Sequence, residues 1–384
     1  MLKFKQLDSL YHSIPMPNSM GIIRYLLALA IISGHYLVLN GNKSFSFILY
    51  TVVGSFFSLS GFLIINSFYR KKSISDFFKS RFKRLMPSYI CVVLLQSILL
   101  YFISNNAFID YFTSSSFWKY IVANMTMMNF LQPTIDGVFD NNVIDAINGS
   151  LWTMKVEWML YISFPIIMLL INRFNWNILI SFSLIYALSA AYRVLFLHLY
   201  ASSGNEIYNI LSRQFIGQFT FFSAGIIIYI LFDKIMKYKY LILPIALFIF
   251  ITGKYIDVLY FTFEPFVTAL LVIITSMTGN VDKIFGQRAN LSYNMYLTHF
   301  PIIQTFIATG LVSMIGLTKS YLLVILCVLI VSAILEYIVQ TIQSLYTNKK
   351  QNPAFSGSIL SVRFIMEILR RNFNRSHRPT RRID

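Results

Sequence analysis

Stretches of about twenty apolar residues, each nearly free of charge, recur along this chain. Lipid offers no water to pair with backbone N–H and C=O groups, so only α-helices and closed β-barrels can span it. A barrel reads as segments of ~10 residues with alternating polarity, and these runs do not alternate. The sequence therefore predicts an all-α polytopic membrane protein. Ten spans are expected, near 21–40, 45–68, 88–104, 149–171, 177–198, 213–232, 239–256, 259–278, 290–311 and 320–343. Only 12% of the 384 residues are charged, against about 25% in a soluble domain.

The charge that remains is lopsided. Net charge is +17, and the basic residues crowd the gaps between apolar runs. That distribution fits positive-inside topology better than nucleic-acid binding. The gap 69–87 carries Arg70, Lys71, Lys72, Lys79, Arg81, Lys83 and Arg84 and is assigned to the cytoplasm. The gap 105–148 carries Lys119 against Asp110, Asp136, Asp140 and Asp145 and is assigned outward. Its stretch "FWKYIVANMTMMNFL" is apolar but short, and reads as a re-entrant or surface-lying helix. With ten spans both termini are cytoplasmic. Residues 1–343 form one membrane domain, and 344–384 a basic tail containing "SILSVRFIMEILRRNF", either an interfacial helix or a solvated segment. Residues 1–19 are polar, contain Pro15 and Pro17, and do not read as a cleavable leader. Cys91 and Cys327 lie in apolar runs and read as small core residues, with no disulfide framework or metal site expected.

An ionisable group inside a span costs about 2.5–3.5 kcal/mol on insertion scales, so each is a functional candidate. Arg24, Lys155, Glu157, Arg193, Arg213, Glu264, Glu336, His35, His198 and His299 are such groups. Arg24 and His35 lie eleven residues apart in "IIRYLLALAIISGHYL". Eleven steps of ~100° bring them to one helix face, ~16 Å apart along it. A fixed cation near the inner edge and an imidazole toward the outer one could hold the two ends of an anionic donor. Singly, Arg24 reads as a snorkelling anchor and His35 as a satisfied buried histidine.

Other stretches are weaker. "GSFFSLSGFLI" carries Ser60 and Gly61 on small faces suited to close helix packing. In "RFKRLMP", Arg81 and Arg84 are helical neighbours on a helix expected to stop or bend near Pro87, either ordinary positive-inside charges or a phosphate grip. "GSLWTMKVEWMLYISFP" places Trp152 and Glu157 in a span expected to start at the outer surface. Lys155, two residues from Glu157, does not share its face. A buried carboxylate needs a partner, and His35 is at a compatible depth. In "LSYNMYLTHFPII", Pro301 follows His299 by two; the histidine either lines the same cavity or, the favoured reading, plays a structural role on a freed carbonyl.

Taken in order, these five stretches resemble the acyltransferase-3 family, bacterial integral-membrane enzymes that mostly O-acetylate surface polysaccharides. The resemblance implies ten helices and an acyl-coenzyme A donor that is a substrate rather than a permanent cofactor. It also implies His35 as base or acyl carrier paired with Arg24, Arg81 and Arg84 as a cytoplasmic double-arginine motif, and Glu157 as the glutamate of a tryptophan-containing motif. Trp158 departs from the family, where many members carry a second acid. An added esterase-like domain is not expected.

The resulting expectation is transfer of an acyl group, most simply acetyl, from cytoplasmic acyl-coenzyme A to a surface-glycan hydroxyl, for example in lipopolysaccharide O-antigen. The rival is a transporter or flippase of a lipid-linked sugar, against which stands the lack of repeated halves. A membrane scaffold would leave the intramembrane Arg, His and Glu unexplained.

Overall fold

A computed structural model describes residues 19–42, 44, 46–71, 73–253, 257–278 and 289–347. The expected N-terminal polar segment and nearly all of the basic tail lie outside these residues. All regular structure among them is helical: α1 Met20–Leu39, α2 Ser46–Tyr69, α3 Ile74–Leu99, α4 Phe108–Thr113, α5 Ser115–Met125, α6 Trp152–Phe174, α7 Ile178–Ser203, α8 Glu206–Ser212, α9 Phe215–Ile230, α10 Phe232–Lys237, α11 Lys239–Thr252, α12 Asp257–Met277, α13 Ala289–Ala308, α14 Leu311–Ile315 and α15 Leu317–Thr347. Seven stretches are long and apolar enough to cross a membrane: α1, residues 49–69 of α2, α3 with its extension to 103, α6, α7, residues 260–277 of α12, and residues 317–344 of α15. The chain is a multi-pass membrane protein. The other three anticipated spans coincide with α9, α11 and α13, which have 16, 14 and 20 residues.

The centre of the bundle is α9 against α2. Thirteen residues of α9, from Gly217 to Tyr229, are buried. The backbones touch because glycines face each other's carbonyls: a Cβ on Gly61 would meet the Phe222 carbonyl oxygen at 2.0 Å, and one on Gly225 would meet that of Ser58 at 2.0 Å. Gly61 is thus a packing residue, as its small-faced sequence anticipates. Outward faces are aliphatic. Leu184, Leu188 and Leu195 on α7, and Leu322, Leu326 and Ile330 on α15, are exposed, as lipid contact requires.

Two boundaries differ from the sequence reading. The third span begins at Ile74 rather than near 88, because Ser73 caps the helix by accepting from the Asp76 N–H at 3.0 Å. Arg81 and Arg84 therefore sit inside α3, and Pro87 neither stops nor ends it. A proline leaves the carbonyl four residues back without its helical donor. Here Gln343 of α15 donates to the Lys83 carbonyl at 3.1 Å. The device recurs. Asn148 donates to the Leu297 carbonyl, freed by Pro301, at 2.9 Å. Arg193 donates to the Phe261 carbonyl, freed by Pro265, at 2.9 Å.

The second difference is α6, which does not start level with the nearby ends of its neighbours. Gln304, near the end of α13, donates to the Ile144 and Ala146 carbonyls at 2.5 and 2.9 Å. Eight residues back along α13, the Tyr296 hydroxyl donates to the Ser150 carbonyl at 3.0 Å. The chain from 144 to 151 thus descends beside α13 by about 12 Å before α6 begins. Above it, residues 100–147 form a cap with its own apolar core of Leu100, Tyr111, Phe117, Tyr120, Ile135, Val138, Phe139 and Ile147. The "FWKYIVANM" stretch is α5, an 11-residue helix within this cap.

Candidate active site

The descent of α6 decides where Glu157 lies. Six residues into the helix, it is already level with the far end of α1, and its neighbours are arginines. Arg24, Arg81, Arg84, Glu157 and Tyr161 all act on one another electrostatically. Glu157 accepts a short hydrogen bond from the Tyr161 hydroxyl. It does not meet His35: the sequence expectation placed both in the outer half of their spans, which the buried start of α6 overturns. Lys155 points elsewhere, with Nζ 4.6 Å from the Phe130 ring of the cap.

Arg24, Arg84 and Glu157 line a recess of about 80 Å³ together with Ser60, Thr153, Phe56, Tyr293 and Tyr296. Two guanidinium groups against one carboxylate leave the recess net positive, a setting for an anionic ligand. Arg81 does not line it. Only 5% exposed, it packs over Phe77 and Tyr161, 5.5 and 4.8 Å from the ring centroids. The two members of the double-arginine stretch therefore have different surroundings, although their spacing makes them neighbours.

Tyr296 closes the recess toward the cap. Its hydroxyl lies 2.8 Å from that of Thr153, and its ring centroid is 5.8 Å from that of His299. One turn further, His299 Nε2 is 2.9 Å from His35 Nδ1. His35 thus meets a second imidazole rather than a carboxylate. The favoured expectation paired His299 with the carbonyl freed by Pro301, but Asn148 holds that one and His299 Nδ1 faces the Met295 carbonyl at 3.2 Å. Arg24 and His35 share α1 as their spacing predicts, one at the recess and the other ~16 Å along the axis at the histidine pair.

The remaining intramembrane charges are accounted for locally. Arg193 and Glu264 pair at 2.7 Å, with Thr51 donating to the carboxylate at 2.6 Å. Arg213 lies 3.6 Å from the Tyr50 ring centroid. Glu336 accepts from Asn294 and Gln340 at 2.8 and 2.7 Å. Trp152 is half-buried against the main core, away from the recess lining. No group of three potential metal ligands occurs among the described residues. Sequence reading missed Tyr161 and Tyr296. The first is four residues after Glu157 and the second three before His299, both helical-neighbour spacings.

An all-helical membrane bundle with a cationic recess at one depth and a histidine pair at another is the architecture onto which the comparisons fall. A profile of acyltransferase domains matches residues 18–340, and the chain belongs to the acyltransferase-3 family. It is an acyltransferase. Among its relatives is the O-acetyl transferase of Shigella phage Sf6, 26% identical over 313 residues, which are 76% of this chain and 86% of that protein. No solved structure matches.

Proposed function

We propose that the protein moves an acetyl group from cytoplasmic acetyl-coenzyme A to a hydroxyl of a cell-surface glycan such as lipopolysaccharide O-antigen, working in the bacterial inner membrane. The observation that carries this reading is the recess lined by Arg24, Arg84 and Glu157, with Tyr296 standing between it and the His35–His299 pair. The family supplies the acyl chemistry, and the phage relative's name supplies the O-acetyl group.

In this reading Arg24 and Arg84 hold the anionic donor, and Glu157 balances their charge while Tyr161 fixes the carboxylate. His35 acts as general base on the acceptor hydroxyl. Ten crossings with both termini cytoplasmic put the arginines near the inner edge and the cap outside. The transporter reading gains no support from the chain, which shows no repeated halves. The test is purified protein in proteoliposomes with [14C]acetyl-coenzyme A and alkali-treated lipopolysaccharide. Alkali-labile label in the glycan is expected. Movement of intact glycan without label incorporation would replace this reading with transport.

A further inference from the structure

Hydrogen-bond roles at the two imidazoles follow from what each neighbour can do. The Met295 carbonyl, 3.2 Å from His299 Nδ1, only accepts, so that nitrogen carries a proton. A neutral ring then has an acceptor at Nε2. His299 Nε2 lies 2.9 Å from His35 Nδ1, which must donate. The Ile31 carbonyl, one turn back on α1, is a second acceptor beside the His35 ring. The His299 contact requires a proton on His35 Nδ1, and a neutral His35 then keeps its lone pair on Nε2. His299 has no exposed surface while His35 is half-buried, so His35 is the ring that a substrate reaches.

We propose that His299 is a positioning residue for acyl transfer: it holds His35 in the Nδ1–H tautomer, with the His35 Nε2 lone pair free for the acceptor hydroxyl. This rests on the reading in which His35 is the base. Nε2 takes the hydroxyl proton as that oxygen bonds to the thioester carbonyl carbon. The C–S bond breaks, the leaving thiolate takes the proton from Nε2, and ester, free thiol and neutral His35 result. While His35 is an imidazolium, its Nδ1–H remains bonded to the His299 lone pair, which stabilises the charge as it forms. A packing role alone gives His299 no reason to face another imidazole, because the carbonyl released by Pro301 is already satisfied by Asn148.

Two variants of the full chain separate the roles. His299→Gln keeps an acceptor oxygen near the place of Nε2, and His299→Leu keeps bulk without one. At equal folded amounts, His299→Leu is expected to lose roughly 100-fold in kcat, the scale of general-base assistance, with an unchanged KM for acetyl-coenzyme A. His299→Gln is expected to recover most of that loss. Equal losses in both, or full kcat in His299→Leu, would overturn the proposal. Solid-state NMR of 15N-histidine-labelled wild type reads the tautomer directly and needs no turnover. A His35 proton on Nδ1 is expected, and a proton on Nε2 would overturn the proposal even if His299→Leu does not fold. A wild type that transfers no acetyl group would defeat the functional reading while leaving the tautomer result to decide this one.

Discussion

Arg81 and Arg84 make one turn of α3 and have separate fates. Arg84 lines the recess, whereas Arg81 is buried over two aromatic rings. In the proposed reading Arg84→Gln removes a charge-assisted contact to an anionic donor, worth about 1.5–3 kcal/mol, or roughly 10- to 100-fold in donor KM. Arg81→Gln removes cation–π contacts worth about 0.5–2 kcal/mol and is expected to lower the melting temperature with a smaller change in KM. Steady-state kinetics and thermal unfolding of both variants in detergent would check this. Equal effects of the two on KM would mean that the recess is not the donor site. Much of the site was readable at this scale. Helical spacing put Arg24 and His35 on one helix and marked Glu157 as needing a partner. The partner itself was not readable: burial and charge say only that one must exist, and the choice between His35 and the arginines depends on where α6 starts.

At Pro87, Pro265 and Pro301 the helices continue while side chains from other elements take the orphaned carbonyls. The sequence shows the carbonyl that Pro301 would release. It did not show Gln343, Asn148 or Arg193 as the donors, which are 260, 149 and 68 residues away from the carbonyls they serve. Asn148→Ala leaves the buried Leu297 carbonyl unpaired and is expected to cost about 1–3 kcal/mol, seen as a lower melting temperature. At the α2–α9 crossing, Gly61→Ala forces a Cβ to within 2.0 Å of a backbone oxygen. Overpacking of this kind typically costs about 1–3 kcal/mol and can exceed it where backbone cannot yield, so little folded protein is expected. Gly204, with φ of +68° and nothing within 4 Å of a Cβ, is the control. Asn tolerates that conformation, and Gly204→Asn is expected to fold normally, as monodispersity in size-exclusion chromatography would report.

For the whole molecule the apolar runs fixed the class, since no soluble fold buries so many long uncharged stretches. Span edges were less legible, because a capped, amphipathic helix start such as Ser73–Arg84 looks like a basic loop when only hydropathy is followed. The proposed orientation is checked with single cysteines in a background lacking Cys91 and Cys327. Ser115→Cys on the cap is expected to react with an impermeant thiol reagent in cells whose outer membrane is permeabilised. Lys71→Cys is expected to react only after the inner membrane is opened. The reverse pattern would move the donor side to the other face.

The inward run of residues 144–151 has a consequence for distance. A hydrocarbon slab of ~30 Å that is entered from one side by about 12 Å of polar chain leaves a septum of roughly 18 Å. That is close to the ~16 Å axial offset of Arg24 and His35 on α1. A flexible donor anchored at one face of such a septum can present its reactive end near the other by extension alone. In the proposed reading the protein then needs no rocking halves to carry a group across, and the catalytic cycle proceeds within a bundle that stays still.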